Sequence, residues 1–467
     1  MRGIDWMNGN VKTVSFYTLG CKLNTYDTEW YREQFRHEGY REVAFGRPAD
    51  VTVVNTCTVT GQGAAQSRQM LRRAHRISPE GTVVAMGCYA QTDPDVLIGM
   101  PEVDLVVGTA EKTRLLDLIN DTCSIGRSYV TRRRTAEFQE MDIFNFGGRA
   151  RAFVKIQEGC NEFCSFCIIP FARGRSRSRS LRSCLDQVRR LVDAGYQEVV
   201  LAGVHIGDYG ADLDGHGLLD LFEGIERIEG LRRFRVSSIE ASYISDAMVD
   251  FFSSSSRFCR HLHIPLQSGD DGILTSMRRP YTRARYLSLI ETLAERVPEI
   301  GLGADVMVGF PGESDEAFAN TYDLIDKGPL AFLHVFPFSP RAGTIAARMG
   351  GEVDAAVKKR RGALLRRLGE RKTQAFIRRF AGRTLDVLFE DRREPETGYL
   401  KGVTGNYIRV FAQAPDSAKN SVAPVRLTDV RPGRVIGSMA DVDPEIRRGR
   451  ADVPCGEGGR DGALRGR

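Results

Sequence analysis

The feature that most constrains the fold is an alternation of strand-like runs and helical patterns in the central part of the chain. Short runs rich in apolar and β-branched residues recur there, and segments with helical periodicity separate them. The runs cover residues 151–157, 198–202, 233–237, 261–266, 304–308 and 331–336. Strands that alternate with helices are typical of βαβ units in a parallel sheet. The pattern predicts an α/β array that curls into a partial (β/α)6 barrel, with its ligands at the carboxyl ends of the strands.

A cysteine-rich loop follows the first of these runs. Cys160, Cys164 and Cys167 lie in the sequence EGCNEFCSFCIIP, with C-x3-C-x2-C spacing. Three thiolates this close can bind three irons of one 4Fe–4S cluster, whose full set of protein ligands would be four cysteines. The fourth iron is then free to bind another molecule, which indicates a catalytic cluster. Structural zinc is the alternative, but a zinc site usually needs a second C-x2-C pair or two histidines nearby.

Three further cysteines occupy equivalent places in the amino-terminal part. Cys21, Cys57 and Cys88 each follow a short strand-like run, and helix-compatible stretches separate the runs. Because parallel strands end at one edge of a sheet, these cysteines are expected to converge there. The alternative is three buried small side chains, since free cysteine is commonly buried. We predict a second site with three thiolates and one open iron.

The segments around these six cysteines resemble the methylthiotransferases, a family of radical S-adenosylmethionine (SAM) enzymes with two 4Fe–4S clusters. They are LGCKLNTYDTE, VVNTCTVT, MGCYAQ and EGCNEFCSFCIIPFARGRSRSR, and the resemblance extends over residues 11–439. The GCKLN and KIQEGCN forms and HLHIPLQSGDD at residues 261–271 are most similar to the branch that modifies threonylcarbamoyladenosine beside the anticodon of tRNA. Other branches act on isopentenyladenosine in tRNA or on an aspartate of a ribosomal protein.

The resemblance implies a reaction and its cofactors. SAM would bind the open iron of the cluster on Cys160, Cys164 and Cys167, and an electron from the reduced cluster would cleave it to a 5′-deoxyadenosyl radical. The cluster on the other three cysteines would hold or relay sulfur, and a second SAM would supply the methyl group. The expected product carries a methylthio group at C2 of the modified adenosine. The partners are then a tRNA and unidentified donors of electrons and sulfur.

Three residues are candidates for contacts with SAM. Gly309 and Gly312 follow the run at residues 304–308, where glycine lets the backbone approach a ligand closely. Glu240 lies just past the run at residues 233–237 and can accept hydrogen bonds from a ribose. Ordinary loop or capping roles are the alternative for each.

Basic residues crowd the segment after the first cysteine loop. They are Arg173, Arg175, Arg177, Arg179 and Arg182. Cations beside a reaction centre favour a phosphate-binding strip, and a solvated turn is the alternative. The net charge of +6 permits a polyanionic partner without requiring one.

The pattern divides the chain into four parts. Residues 11–125 are expected to form an amino-terminal α/β domain with the second cluster, and residues 146–375 the radical SAM core. Residues 376–440 contain short strands punctuated by Gly and Pro, which predict a small antiparallel β-barrel. Its position and size resemble a TRAM domain, an RNA-binding module. Residues 441–467 are polar and glycine-rich, and we expect a disordered tail.

The remaining observations concern location and alternative functions. No apolar run reaches the roughly 18 residues that a membrane span needs, and the first ten residues lack the core of a signal peptide. We therefore expect a cytoplasmic protein without a membrane partner. A cobalamin-dependent radical SAM methyltransferase is one alternative, but the D-x-H-x-x-G motif that often binds that cofactor is absent from the sequence. An RNA-binding protein with a structural metal is the other.

Overall fold

The structure is a computed structural model that describes residues 11–125 and 137–440. The predicted tail at residues 441–467 lies outside the described residues. No helix among the described residues is long and apolar enough to cross a membrane.

The amino-terminal part is a parallel sheet of five strands in the order β2-β1-β3-β4-β5. Its elements are β1 (Thr13–Thr18), α1 (Lys22–His37), β2 (Arg41–Glu42), β3 (Val51–Thr56), α2 (Gly61–Ile77), β4 (Thr82–Gly87), α3 (Cys88–Thr92), α4 (Pro94–Ile98), β5 (Leu105–Val107) and α5 (Leu115–Ile125). The central strand β3 is buried throughout, as expected for a β-branched run covered on both faces. The edge strands β2 and β5 were not predicted, because runs of two and three residues carry no periodic signal.

The central part contains six principal parallel strands, namely β6, β9, β10, β11, β12 and β13. Its elements are β6 (Arg151–Lys155), β7 (Gln157–Glu158), α6 (Ile169–Arg173), β8 (Arg177–Ser178), α7 (Leu181–Asp193), β9 (Glu198–Ala202), α8 (Leu218–Glu226), β10 (Arg233–Val236), α9 (Asp246–Ser254), β11 (His261–His263), α10 (Asp271–Ser276), α11 (Arg283–Arg296), β12 (Gly301–Val308), α12 (Asp315–Lys327), β13 (Phe332–Pro337) and α13 (Ala355–Arg378). Sheets β10-β9-β6 and β11-β12-β13 are joined by parallel bridges at Phe234–Phe258 and Ser238–His263. The six-stranded partial barrel is therefore confirmed.

The carboxyl-terminal part is a closed five-stranded barrel in the order β14-β15-β16-β18-β17. Its strands are β14 (Thr384–Arg393), β15 (Leu400–Thr404), β16 (Arg409–Gln413), β17 (Val422–Arg431) and β18 (Arg434–Met439). The small barrel was predicted, and its pairs are antiparallel except for β16 with β18, which run parallel.

Two buried arginines fasten this barrel to the central part. Arg233 donates to the carbonyl oxygens of Asp386 (3.1 Å) and Val403 (2.8 Å). Arg235 donates to those of Gly405 (3.0 Å) and Thr404 (3.1 Å). Both guanidinium groups also pair with the buried carboxylate of Glu198 in β9. The turn between β15 and β16 is thereby held against the amino end of β10.

The amino-terminal sheet and the partial barrel share one hydrophobic core. Helix α1 packs against β6, and Tyr26, Tyr31 and Phe35 of α1 are buried there. The carboxyl edge of the sheet consequently faces the carboxyl ends of the barrel strands.

Candidate functional site

The six cysteines predicted as cluster ligands form two sets, which we call the loop triad and the sheet triad. The loop triad is Cys160, Cys164 and Cys167, in the loop between β7 and α6. The sheet triad is Cys21, Cys57 and Cys88. Cys57 directly follows β3, Cys88 directly follows β4, and Cys21 lies three residues past the end of β1. These three strands are neighbours in the sheet.

The sheet triad converges at the carboxyl edge of the sheet. A Cβ atom on Gly20 would lie 3.1 Å from Cys57 Sγ, so the backbone before Cys21 passes close to that sulfur. Burial raises the pKa of Cys88 to about 11; charges on Cys21 and Cys57 act in the same direction, and Arg173 opposes them. Cys57 and Cys88 are buried, whereas Cys21 is exposed and leaves one side of the site open.

The loop triad is fixed by the backbone of its own loop. The Cys160 amide donates to the Gly174 carbonyl (3.1 Å), and Phe163 adopts a left-handed φ of 47°. Gly159 has a φ of 81°, and a Cβ atom there would lie 1.8 Å from the Arg175 carbonyl oxygen. Only glycine therefore fits directly before the first cysteine.

The polar surroundings of the triads fit iron–sulfur ligation. Arg279 Nη1 donates to Cys164 Sγ (3.3 Å), and Arg173 Nε donates to Cys88 Sγ (3.2 Å). Such bonds stabilise thiolate charge and tune the potential of a cluster. Burial raises the pKa of Cys160 and of Cys167 to about 12, so a bound metal must displace the thiol protons.

A cluster and a zinc ion make different demands on their ligands. Within residues 11–125 and 137–440, no three His, Cys, Asp or Glu side chains are grouped closely enough to hold one metal ion. Zinc requires its ligands to converge on a single centre. Cluster cysteines instead bind different irons, so their sulfurs stay apart. The three cysteine thiols of each triad are the donor type that three irons of a cluster take.

A group of buried charges, which we call the interface network, lies between the two triads. It comprises Asp27, Lys112, Lys155, Glu158 and Arg173, and none of these side chains is more than 7% exposed. Glu158 accepts from Lys112 Nζ (2.7 Å) and Arg173 Nη1 (2.7 Å), and Lys155 Nζ lies 3.0 Å from Asp27. Arg173 thus connects the helix after the loop triad to Cys88 of the sheet triad.

The charges of the interface network shift the pKa values of its own members and set the charge balance beside Cys88. Burial alone would raise the pKa of Glu158, but Lys112, Lys155 and Arg173 together hold it well below the usual range. Burial lowers the pKa of Lys112 to about 8 against the opposing effect of the two carboxylates. Three cations face two carboxylates, so the network has one excess positive charge, which would favour a thiolate on Cys88 once a bound metal displaces its proton.

The predicted phosphate-binding strip is wrong for three of its five arginines. Arg173, Arg177 and Arg179 are buried, and their guanidinium groups bond to protein atoms. Arg175 and Arg182 alone in this set are exposed. The chain between α6 and α7 turns these guanidinium groups toward carboxylates and carbonyls of the interior, where phosphates do not reach.

The three candidate SAM contacts lie at the carboxyl ends of barrel strands. Glu240 follows β10 and pairs with Arg279, the same arginine that donates to Cys164. Gly309 donates its amide to Glu313 Oε2 (2.7 Å), and the side chain of Lys358 fills the space beside it. Gly312 has a φ of 83° and open space at its Cα. Their contact with SAM stays a prediction.

A cavity of about 370 Å³, which we call the central cavity, lies inside the partial barrel and is lined by all three parts of the chain. Lys22 comes from α1, His263 and Asp305 come from β11 and β12, and Tyr407 comes from the turn after β15. A larger cavity of about 810 Å³ opens between the small barrel and the amino ends of β10 and β11. The six cysteines of the triads lie at the opposite strand ends from this larger cavity, whereas the central cavity is lined by Lys22, which directly follows Cys21.

Sequence reasoning missed Arg279 and the interface network. Lys155 carried a usable signal, since a lysine within an otherwise buried strand needs an acidic partner. Its acidic partners are Asp27 (3.0 Å) and Glu158 (3.5 Å), and Glu158 lies two residues before Cys160. Arg279 follows α10 with no motif around it, and only the fold brings it to Cys164.

Comparison with known proteins agrees with this architecture. Residues 154–325 match the Radical SAM superfamily, and residues 13–108 match the Uncharacterized protein family UPF0004. A structure of the radical S-adenosylmethionine methyltransferase TsrM from Kitasatospora setae, with cobalamin and a [4Fe-4S] cluster bound, has a similar fold. The TM-score is 0.55 at 16% identity, over 72% of this chain and 77% of that one. Fold and cysteine loop together define a radical SAM enzyme, with SAM and a 4Fe–4S cluster as its cofactors.

Two curated relatives narrow the class. The chain is 40% identical to "Threonylcarbamoyladenosine tRNA methylthiotransferase MtaB" of Bacillus subtilis (strain 168), over 89% of this chain and 93% of the relative. It is 33% identical to "tRNA-2-methylthio-N(6)-dimethylallyladenosine synthase" of Syntrophus aciditrophicus (strain SB), over 81% of this chain and 84% of that relative. The chain belongs to the methylthiotransferase family of radical SAM enzymes.

Proposed function

We propose that the protein transfers a methylthio group to C2 of N6-threonylcarbamoyladenosine beside the anticodon of tRNA, with one 4Fe–4S cluster on each triad. The observation that carries this proposal is the juxtaposition of the triads. Helix α3 begins at Cys88, α6 begins two residues after Cys167, and the two helices pack together. The similarity to the Bacillus subtilis relative, which is named for threonylcarbamoyladenosine in tRNA, supports the choice of substrate.

The residues of this chain hold and tune the two sites. Cys160, Cys164 and Cys167 would hold a cluster that with SAM would supply a carbon radical able to take hydrogen from an adenine C–H bond, and Cys21, Cys57 and Cys88 would hold a cluster that carries sulfur. Arg279 and Arg173 donate to cysteine sulfurs and stabilise them as thiolates. In the net reaction C2–H breaks and C2–S forms, the hydrogen leaves on 5′-deoxyadenosine, and a second SAM gives the methyl group. Electrons and sulfur come from separate donors.

An RNA substrate requires exposed cations, and α13 carries them. Some of its exposed lysine and arginine side chains recur at seven-residue intervals. In the described part of the chain, five of these exposed side chains have no ion-pair partner, namely Lys359, Arg360, Arg366, Arg367 and Arg378. At 1.5 Å per residue the helix is about 36 Å long. It runs from Lys358 beside Gly309 to Phe376 in the core of the small barrel, so phosphate contacts along it would connect the reaction edge to that barrel.

Nucleoside analysis tests the substrate. Mass spectrometry of tRNA from a deletion strain is expected to show loss of 2-methylthio-threonylcarbamoyladenosine and accumulation of its precursor. Loss of the methylthio form of isopentenyladenosine instead would assign the other tRNA substrate. Intact nucleosides with a changed ribosomal-protein aspartate would overturn the tRNA proposal.

Anaerobic reconstitution tests the two clusters. The wild-type protein is expected to bind about eight irons. Cys160→Ala should abolish 5′-deoxyadenosine formation, whereas Cys57→Ala should retain it, bind about four irons and make no thiomethylated product. Cys184→Ala is the matched control, because Cys184 is buried and belongs to neither triad. Full product from Cys57→Ala would refute the second cluster, and a corrin absorption band in the purified protein would favour a cobalamin-dependent methyltransferase instead.

A further inference from the structure

The central cavity contains polar groups that no protein atom satisfies. Ser237 Oγ and His261 Nδ1 line it, are buried and have no hydrogen-bond partner among the described residues. Lys22 also lines it, and in the described part of the chain its ammonium makes no hydrogen bond or ion pair. Two buried polar groups without a partner, in a cavity that an exposed ammonium also lines, indicate a place for a polar ligand, since buried polar groups are otherwise bonded.

The charges around Lys22 decide which sign of ligand the cavity takes. Arg235 and Arg151 are cations whose charges act on Lys22, and Arg235 already uses its donors on Glu198 and two backbone carbonyls. Asp305 is the carboxylate that faces Lys22, but it is held between His263 Nε2 (3.1 Å) and His334 Nδ1 (2.8 Å). An ammonium among other cations, with the local acid already occupied, favours an anion.

We propose that the central cavity binds the N6 substituent of the substrate adenosine and that Lys22 binds its carboxylate. This inference rests on the proposed function, because the threonylcarbamoyl group carries a carboxylate and a hydroxyl, whereas an isopentenyl group carries neither. Ser237 and His261 line the same cavity and can bond the remaining polar atoms of the group. An apolar substituent would leave Ser237 and His261 unsatisfied and would offer no charge to Lys22, so the cavity selects against it.

The position of Lys22 in the chain connects recognition to the reaction. It directly follows Cys21, the exposed member of the sheet triad. A carboxylate held by Lys22 therefore keeps the purine ring beside the sheet triad, whose cluster holds the sulfur in the proposed reaction. Lys22 is on this view a specificity residue rather than a group that takes part in bond breaking.

RNA binding by the reconstituted holoenzyme tests the inference without turnover. Three anticodon stem-loops are compared by fluorescence anisotropy in the absence of reductant: one with threonylcarbamoyladenosine, one with its methyl ester and one with unmodified adenosine. The wild-type protein is expected to bind the acid about tenfold more tightly than the ester, as for a charge-assisted pair. Lys22→Met should bind acid and ester within about twofold of each other, because the substitution and the methyl ester each remove the same interaction between ammonium and carboxylate. Lys22→Arg should keep the preference.

Control measurements separate this inference from its alternatives. Lys12→Met, at an exposed lysine before β1, should keep the full preference. The inference is overturned if Lys22→Met retains the preference for the acid, or if it weakens all three RNAs equally. It is also overturned if Lys22→Met loses SAM in equilibrium dialysis, since Lys22 would then bind the carboxylate of SAM.

Two further outcomes are distinguished in the same experiment. Equal wild-type affinity for the threonylcarbamoyl and unmodified stem-loops would contradict the proposed substrate, whatever Lys22 does. Clear preference for the modified stem-loop with equal affinity for its ester would contradict only the role of Lys22. This comparison needs no variant, so it holds even if Lys22→Met is unstable, and Lys22→Gln then replaces it.

Discussion

The two triads each contain three cysteines, but the chain holds them in position by different means. The loop triad lies within one short loop, so the local backbone sets its geometry through Gly159 and the left-handed Phe163. The sheet triad is assembled from three strand ends that are distant in sequence, and it depends on the sheet and on Arg173 from the next domain. Local substitutions should therefore damage the first, whereas substitutions far from its cysteines should damage the second.

The largest expected effect comes from breaking the interface network that supports the sheet triad. Glu158→Gln removes the acid shared by Lys112 and Arg173 and leaves both cations buried. Loss of one partner of a buried ion pair costs about 3–5 kcal/mol. Urea unfolding of the cluster-free protein, followed by circular dichroism, measures this change in the free energy of unfolding.

Glu316→Gln is the control, because Glu316 is exposed at the start of α12. It should change the free energy of unfolding by less than about 0.5 kcal/mol. If Glu158→Gln cost no more than this control, the interface network would not join the two parts of the chain as described.

Glycine substitutions test the triads one at a time. Gly159→Ala should prevent the loop triad from forming, because its Cβ would lie 1.8 Å from the Arg175 carbonyl. Gly87→Ala should disrupt the sheet triad, since its Cβ would lie 2.4 Å from Asn55 Oδ1 and 2.7 Å from the Thr56 carbonyl. Iron analysis after anaerobic reconstitution is expected to fall from about eight to about four in each case.

Gly39→Ala separates steric overlap from backbone strain. Gly39 has a φ of 80° but open space around its Cα, so its substitution carries the left-handed penalty of about 1–2 kcal/mol alone. This variant should bind the full complement of iron. An equal loss of iron in Gly39→Ala would contradict the role assigned to the close contacts.

The same difference between the triads shows what could be predicted from the sequence. The loop triad is visible as spacing, and the sheet triad follows from strand-like runs because parallel strands end at one edge. The central strands and the small barrel were likewise predicted from their runs of β-branched residues. Partners from distant segments, such as Arg279 to Cys164, carry no local pattern. The buried arginines after the loop triad were misassigned because charge clustering does not reveal which way the side chains point.

A further prediction contrasts the buried arginines beside the triads with the exposed ones on α13. The double substitution Arg360→Gln with Arg367→Gln should weaken binding of every tRNA stem-loop about tenfold and reduce the salt dependence by about two phosphate contacts. It should not change the preference for the modified base, because phosphate contacts carry no base specificity. Fluorescence anisotropy across a salt series measures both quantities.

Arg371→Gln provides the matched control on the same helix. Its guanidinium pairs with Asp326 (2.7 Å) and is therefore not free for phosphate. Little change in RNA affinity is expected from this variant. An equal loss of RNA affinity in the double variant and in Arg371→Gln would mean that net charge, rather than the arginines without ion-pair partners, determines binding.

The smallest expected effect concerns His334, whose hydrogen bond to Asp305 raises the pKa of the imidazole. Burial would raise the pKa of Asp305, but His263 and His334 lower it. The charged pair therefore stabilises the fold fully below the unfolded histidine pKa of about 6.5, and this stability is lost as the pH rises through the higher folded value. On the acid side it persists until the pH falls through the lowered pKa of Asp305.

His334→Gln should accordingly lower the free energy of unfolding at about pH 6 and have no effect at about pH 9. The side chain is 72% exposed, so the difference should not exceed about 1 kcal/mol. His216→Gln, at an exposed histidine, should show no such trend. A pH-independent difference would mean that Asp305 is not held by His334, and the acid would then be available to Lys22. The assignment of that lysine to an external carboxylate therefore depends in part on this small effect.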